Sequence, residues 1–151
     1  MKIVIQNAPQ GSVHVGGNII GDENNGIVCL VGIGIDDTEE DLEWSVQKLL
    51  TFNLFPGQDG TQFQKSLSES RREILLVSQF TLFARLGNGR KLDFSRAMRN
   101  DNASAFFERF VERLKCLYDA QLTKVGSFGA LMSVHILNDG PQTFIFDSKN
   151  R

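Results

Sequence analysis

Apolar and polar residues alternate from the first positions of the chain. Between Lys2 and Asn7, Ile3 and Ile5 fall on one side and Val4 on the other, the two-residue period of a strand, and Ser12 to Val15 repeats it. Gly16-Gly17 then supplies a turn into a short strand at Asn18 to Ile20. Ile27 to Ile35, IVCLVGIGI, is a nearly unbroken apolar run of strand length and β-branched composition, which predicts a central strand buried on both faces. The period changes after Asp36-Asp37. Thr38 can cap a helix whose first turn carries Glu39, Glu40 and Asp41, and Leu42, Val46, Leu49 and Leu50 draw one apolar stripe along residues 39–52.

Phe55-Pro56-Gly57 breaks that helix, and Asp59-Gly60 reads as a turn. Glu73 to Phe83, EILLVSQFTLF, predicts a long strand. A glycine- and arginine-rich loop follows, and Asn102 can cap a second helix over 103–121. Its wide apolar face holds Phe106, Phe107, Phe110, Val111, Leu114, Leu117 and Tyr118. Leu131 to Leu137 and Phe144 to Phe146 predict the last strands, joined by Asn138-Asp139-Gly140-Pro141. Strands outnumber helices without regular β-α-β alternation, so the expected class is α+β, mostly antiparallel sheets carrying two helices.

At 151 residues with 41% apolar and 23% charged positions, the chain is the size of one domain, 1–151, with enough to bury. No apolar run reaches the roughly 18 residues that cross a bilayer, and Met1 to Gly11 lacks a long apolar leader segment. A cytoplasmic location without membrane contact is the expectation. Net charge is −2, yet Arg85, Arg90, Lys91, Arg96 and Arg99 stand against Asp93 alone, a local +4 that leaves −6 for everything else. That segment is either a solvated loop or a phosphate-binding surface, and Gly87 and Gly89 would let it close on a ligand.

Candidate chemistry is sparse. Cys29 and Cys116 lie far apart in apolar contexts, which predicts two buried thiols rather than a disulfide or metal knuckle. His14 and His135 alternate with apolar residues inside strands, where packing or solvent exposure outweighs a metal or general-base role. Gly32-Ile33-Gly34 does not continue into a dinucleotide fingerprint, and Glu39, Glu40 and Glu43 are accounted for by the helix dipole. Two segments resist a purely structural explanation. Ser78, Gln79 and Thr81 place hydrogen-bonding groups inside an apolar strand, where they must find partners or line a pocket. Strand alternation would send Gln79 and Thr81 to one side, Ser78 and Phe80 to the other. The second segment is the turn Asn138 to Thr143, in which Gly140 can take positive φ and Pro141 can be cis.

Together, SQFTL at Ser78 to Leu82 and N-x-G-P-x-T at Asn138 to Thr143 resemble the paired motifs of the D-aminoacyl-tRNA deacylases. Ser12-Val13, Gly87 to Ser95, Phe107 to Val111 and Gly126 to Ala130 with Met132 agree in order along the chain. The resemblance implies an α+β fold whose mostly antiparallel β-sheets form a barrel-like core with two helices. It implies hydrolysis of the ester joining a D-amino acid, or glycine mischarged on tRNA(Ala), to the terminal adenosine of tRNA, without metal or cofactor. It further implies a homodimer with active sites at the subunit interface. There a cis Gly140-Pro141 from one subunit enters the other's site, and main-chain carbonyls exclude an L side chain.

The same resemblance assigns Ser78, Gln79 and Thr81 to the catalytic motif, with Thr81 orienting substrate rather than attacking it. Phe80, Phe128, Met132, Asn138, Gly140 and Pro141 would bind substrate, and Arg85, Arg90, Lys91 and Arg96 would contact tRNA phosphates. Side-chain acid–base chemistry is minor in this family, where the tRNA 2′-hydroxyl is thought to assist water. The chain departs from the pattern at Asn7, where the family has an arginine thought to hold the glycine-proline turn, around Gly60 to Phe63, and at Leu131. A deacylase of relaxed chirality, or a tRNA-binding module with weak turnover, therefore stays open as an alternative.

Overall fold

The computed structural model describes residues 1–87 and 89–151. In chain order the strands are β1 Lys2–Val15, β2 Asn18–Gly32, β3 Asn53–Phe55, β4 Lys65–Ser66, β5 Ile74–Ser78, β6 Arg85–Leu86, β7 Leu92–Asp93, β8 Thr123–Val125, β9 Ser133–Leu137 and β10 Thr143–Asp147. The helices are α1 Glu39–Thr51, α2 Leu67–Ser70 and α3 Asn100–Leu117, with a single 3-10 turn at Phe80–Phe83.

The four short amino-terminal strands read from periodicity are two long ones. Gly16 (φ +57) and Gly17 (φ +84) join β1 and β2 in the two-residue hairpin expected of them. Pro9 looks like a breaker, but it occupies the position where β1 changes partner. Lys2 to Gln6 pair with β10 and Gln10 to His14 pair with β9, so no ladder needs the N–H that Pro9 lacks. Asn25, opposite, has φ +58 and lets β2 bend with it.

The main sheet runs β10-β1-β2-β5-β8, with β9 also on β1. It is mixed, with antiparallel pairing in the majority as expected: β1 pairs antiparallel with β2, β9 and β10, while β2–β5 and β5–β8 are parallel. The parallel pairings arise because each return to the sheet passes through a helix, α1 between β2 and β5 and α3 between β5 and β8. The expected barrel is not formed, since no sheet closes among the described residues.

One face of the sheet carries the main core. Ile3, Ile5, Ile27, Cys29 and Val31 meet Leu42, Val46 and Leu49 of α1 and Phe106, Phe110 and Leu114 of α3. Phe110 is completely buried, and its truncation to alanine should cost about 3–5 kcal/mol. Thr38 starts α1 as anticipated, donating from its N–H (2.9 Å) and its hydroxyl (3.0 Å) to the Asp41 carboxylate. α3 starts earlier than Asn102, with Arg99 in the cap position and no side-chain cap bond. The sheet sets this boundary: Met98 N donates to Ile33 O and a bridge joins Gly34 to Ala97, so the chain leaves the sheet edge straight into the helix.

A third, short helix, α2, is anchored by Ser66, whose N–H and hydroxyl both donate to Glu69 at 2.8 Å. Cys29 is buried as expected, but Cys116 is exposed. It sits two positions past Leu114, about 200° around α3 from the apolar stripe. The opposite face of the sheet has a thinner cover. Ala8, Val13, Val28, Leu75 and Val77 are buried there, and Leu30, Met132, Val134 and Ile136 only partly so.

Candidate active site

β5 does not continue to Phe83. It ends at Ser78, where Gln79 N makes a last bond to Val31 O (2.8 Å), and Leu82 N to Gln79 O and Ala84 N to Thr81 O then wind the chain into the 3-10 turn. Gly32 of β2 permits this: a Cβ there would meet Leu82 Cβ at 3.0 Å and Gln79 O at 3.1 Å. The polar residues of SQFTL therefore mark a change of direction rather than two polar strand faces, which overturns the alternation expected of Ser78, Gln79, Phe80 and Thr81.

A cleft of about 680 Å³ opens at this end of β5. Of the residues singled out from sequence, Ser78, Gln79, Phe80, Phe128 and Met132 line it. Phe80 is 58% exposed and packs edge-on against Phe94 at 5.2 Å, so it is a wall of the cleft and not part of the core. Thr81 is not among the lining residues, but its hydroxyl accepts a 2.5 Å bond from Gln79 Nε2 and so holds that amide. Sequence reasoning missed the opposite wall, which comes from Ala97, Met98 and the start of α3 at Arg99, Asn100 and Ala103. Arginine and asparagine at the start of a helix, directly after a basic segment, were the available signal.

The lining contains a hydroxyl (Ser78), two amides (Gln79, Asn100) and one cation (Arg99) on apolar surroundings, with no histidine or carboxylate. Such a site can orient an ester and a water through hydrogen bonds, but its lining side chains supply no general base near neutral pH. His14 and His135 lie elsewhere, on β1 and β9, with ring centroids 4.7 Å apart and Ser12 Oγ 2.9 Å from His14 Nε2. Among the described residues no group of three or more side chains is arranged to hold a metal ion, and no helix is long and apolar enough to cross a membrane.

Asn138, Gly140 and Pro141 do not line this chain's own cleft. Their turn, with Gly140-Pro141 cis, is exposed at its tip and tied down at its base. Asp139 N donates to Asn7 O (3.0 Å) and Asn7 N to Gln142 O (3.1 Å). Asn138 Oδ1 accepts from Gln142 N, and Asn138 Nδ2 donates to Thr143 Oγ1 (3.0 Å). The Asn7 amide donates to the Gln142 side chain (3.2 Å), which donates in turn to Gln62 Oε1 (3.3 Å). Asn7 and Gln62, two of the positions that depart from the resembled pattern, thus meet at the base of one turn.

The basic segment is partly ordered by β6 and β7. Arg85 is neutralised, donating to Asp93 (2.7 Å) and Ser95 (3.2 Å). The Ser95 amide and hydroxyl, followed by Arg85, hold the Asp93 carboxyl down at about 2. Arg90, Lys91 and Arg96 are exposed and make no ion pair among the described residues. Position 88, inside the glycine-containing stretch expected to close on a ligand, lies outside the described residues.

Comparison with known proteins covers nearly the whole chain. The profile of the family described as D-Tyr-tRNA(Tyr) deacylase matches residues 4–147. A D-aminoacyl-tRNA deacylase of Dictyostelium discoideum is 42% identical over 152 residues, covering 100% of both chains. The human D-aminoacyl-tRNA deacylase 1 is 43% identical over 148 residues, 98% of this chain and 70% of that protein. Among solved structures, the c-Myc DNA Unwinding Element Binding Protein superposes with a TM-score of 0.93 at 43% identity, covering 97% of this chain and 98% of the other. A probable eukaryotic D-amino acid tRNA deacylase, at 20% identity and a TM-score of 0.84, shares the fold. With a profile matching residues 4–147 and relatives above 40% identity over 98–100% of its length, this chain belongs to the D-aminoacyl-tRNA deacylase family.

Proposed function

We propose that the cleft at the end of β5 hydrolyses the ester between a D-amino acid and the terminal adenosine of tRNA. Water adds to the ester carbonyl, the bond to the ribose oxygen breaks, and that oxygen takes up the proton, releasing free amino acid and tRNA. The observation that carries the reading is a mostly apolar cleft with a few hydrogen-bonding side chains and no side-chain base, inside a chain of this family. Ser78 and Gln79 orient the substrate, with Thr81 fixing the Gln79 amide, and the adjacent tRNA 2′-hydroxyl assists the water. Phe80 and Phe94 offer aromatic surface for the adenine, and Phe128 and Met132 close the amino-acid side.

The protein acts as a homodimer in this reading. The Asn138 to Thr143 turn projects outward with Gly140 and Pro141 exposed, and Leu137 and Ile145 beside it are exposed apolar residues on β9 and β10. A second copy covers them, and each turn enters the other subunit's cleft, where backbone carbonyls reject an L side chain. Glycyl-tRNA, having no side chain to reject, is a substrate by the same rule. Arg90, Lys91 and Arg96 meet the tRNA phosphates, in a cytoplasmic setting. Release of D-tyrosine from D-Tyr-tRNA by the purified protein, with L-Tyr-tRNA spared and a dimer in sedimentation, is the expected result. No release above a blank would return the protein to a tRNA-binding role, and equal D and L rates would make it a deacylase of relaxed chirality.

A further inference from the structure

A second depression, of about 340 Å³, lies next to the candidate active site and shares Met98 and Arg99 with it. Its other walls come from Ile35, Asn102, Ala105, Phe106 and Arg109. Ile35 is 60% exposed, although it follows a buried strand. Arg109 is held in place at this floor. Its guanidinium donates twice to Glu39 Oε1 (2.8 and 3.1 Å) and once to Ala105 O (3.3 Å), and lies 5.2 Å from the centre of the Phe106 ring. Arg99 is exposed on the ridge between the two depressions and makes no ion pair among the described residues.

We infer that this depression is the subsite for the penultimate nucleotide of the tRNA acceptor end, a cytidine. This rests on the reading of the first cleft as the site of the aminoacyl adenosine. Three features select that occupant. An apolar floor beside a planar, pre-oriented guanidinium is a stacking surface for a nucleobase. A cation on the shared ridge stands where the phosphodiester joining two adjacent nucleotides has to cross. The second depression is half the volume of the first, which fits one nucleoside beside an aminoacylated one. An apolar protein segment would satisfy the floor but leave Arg99 facing it without a partner.

The test compares binding of adenosine, 5′-AMP and the dinucleotide cytidylyl-(3′→5′)-adenosine by titration calorimetry. The dinucleotide should bind about tenfold more tightly than 5′-AMP, the gain expected of one stacked base. Ala105 is exposed, so Ala105→Trp fills the depression from outside the core and should bring the ratio of the two affinities close to one. Arg109→Gln should lower the ratio severalfold, and a thermal melt of each variant verifies its fold. If Ala105→Trp fails to fold, Ile35→Ser reads the same ratio. Equal affinities for 5′-AMP and the dinucleotide in the wild type, or a gain that survives Ala105→Trp, overturns the inference. D-Tyr-tRNA hydrolysis persisting alongside such a result leaves the deacylase reading standing, whereas absence of both hydrolysis and adenosine binding removes the two together.

Discussion

Glu23 offers the sharpest test of the energetics. It lies on β2, fully buried, with both carboxylate oxygens lacking a hydrogen-bond partner of good geometry. It is wedged against Gly11 and Gly26, and Glu73 is close enough to repel its charge. Glu73 itself is engaged elsewhere, accepting from Asn24 N at 2.7 Å and lying 3.8 Å from Lys124 Nζ. Burial first, then Glu73 and more weakly Asp22, push the Glu23 carboxyl from 4.5 up to about 7, against a smaller opposing effect of the Gly26 amide.

The folded state therefore keeps a proton that the unfolded chain loses above its ordinary value. Stability from this residue is complete below about pH 4.5, declines as pH rises, and is gone above about pH 7. The interval corresponds to about 3 kcal/mol at 1.36 kcal/mol per pH unit. Glu23→Gln removes the titration while keeping the shape, so it should gain on the wild type by up to about 3 kcal/mol between pH 4.5 and pH 8. For a chain of this length that is a relative rise in melting temperature of about 6–12 °C. Urea unfolding of both proteins at several pH values measures it, and titrations common to both cancel in the difference. A difference between wild type and Glu23→Gln that stays constant from pH 4.5 to pH 8 would refute the assignment of a buried, uncompensated carboxyl.

Three further outcomes follow from the site. Thr81→Val removes only the acceptor of the Gln79 amide, so kcat/KM for D-Tyr-tRNA should fall less than about tenfold; a loss of about 10⁴-fold or more would instead make the hydroxyl the nucleophile. Neutralising Arg90, Lys91 and Arg96 together should weaken tRNA binding and reduce the slope of log affinity against log salt by about 2 to 3; an unchanged slope identifies a solvated hairpin. Asn7→Ala cuts the side-chain bond to Gln142 at the base of the Gly140-Pro141 turn, and the ratio of D- to L-aminoacyl-tRNA hydrolysis should drop by about fivefold, the value of one net hydrogen bond. An unchanged ratio would show that the backbone bonds of Asn7 hold the turn without its amide.

Features fixed by near neighbours were readable in the chain itself. The Gly16-Gly17 hairpin, the Thr38 start of α1 and the apolar stripes of α1 and α3 depend on residues within four positions of one another, so periodicity and capping chemistry reveal them. Ser66-x-x-Glu69 carried the same kind of signal for α2 and passed unnoticed because only one turn of helix follows it. The two motif segments were also visible, because polar side chains in an apolar run and a Gly-Pro turn are local anomalies.

The remaining decisions were made at a distance. Pro9 is compatible with one continuous strand only because β1 exchanges β10 for β9 at that point, which no local window contains. The strand after Glu73 stops at Ser78 because Gly32, more than 40 positions earlier, leaves room for the chain to turn over it. Arg99 and Asn100 become cleft residues because the bridge between Gly34 and Ala97 delivers the start of α3 to the end of β5. Glu23 is the extreme case. Its polar neighbours Asp22, Asn24 and Asn25 read as an exposed stretch, yet pairing with β1 turns its side chain to the side of Gly11, away from water. Local sequence determines which backbone conformations are affordable at each residue, whereas burial, and with it the ionisation of Glu23 and the lining of the cleft, depends on which strand is laid beside which.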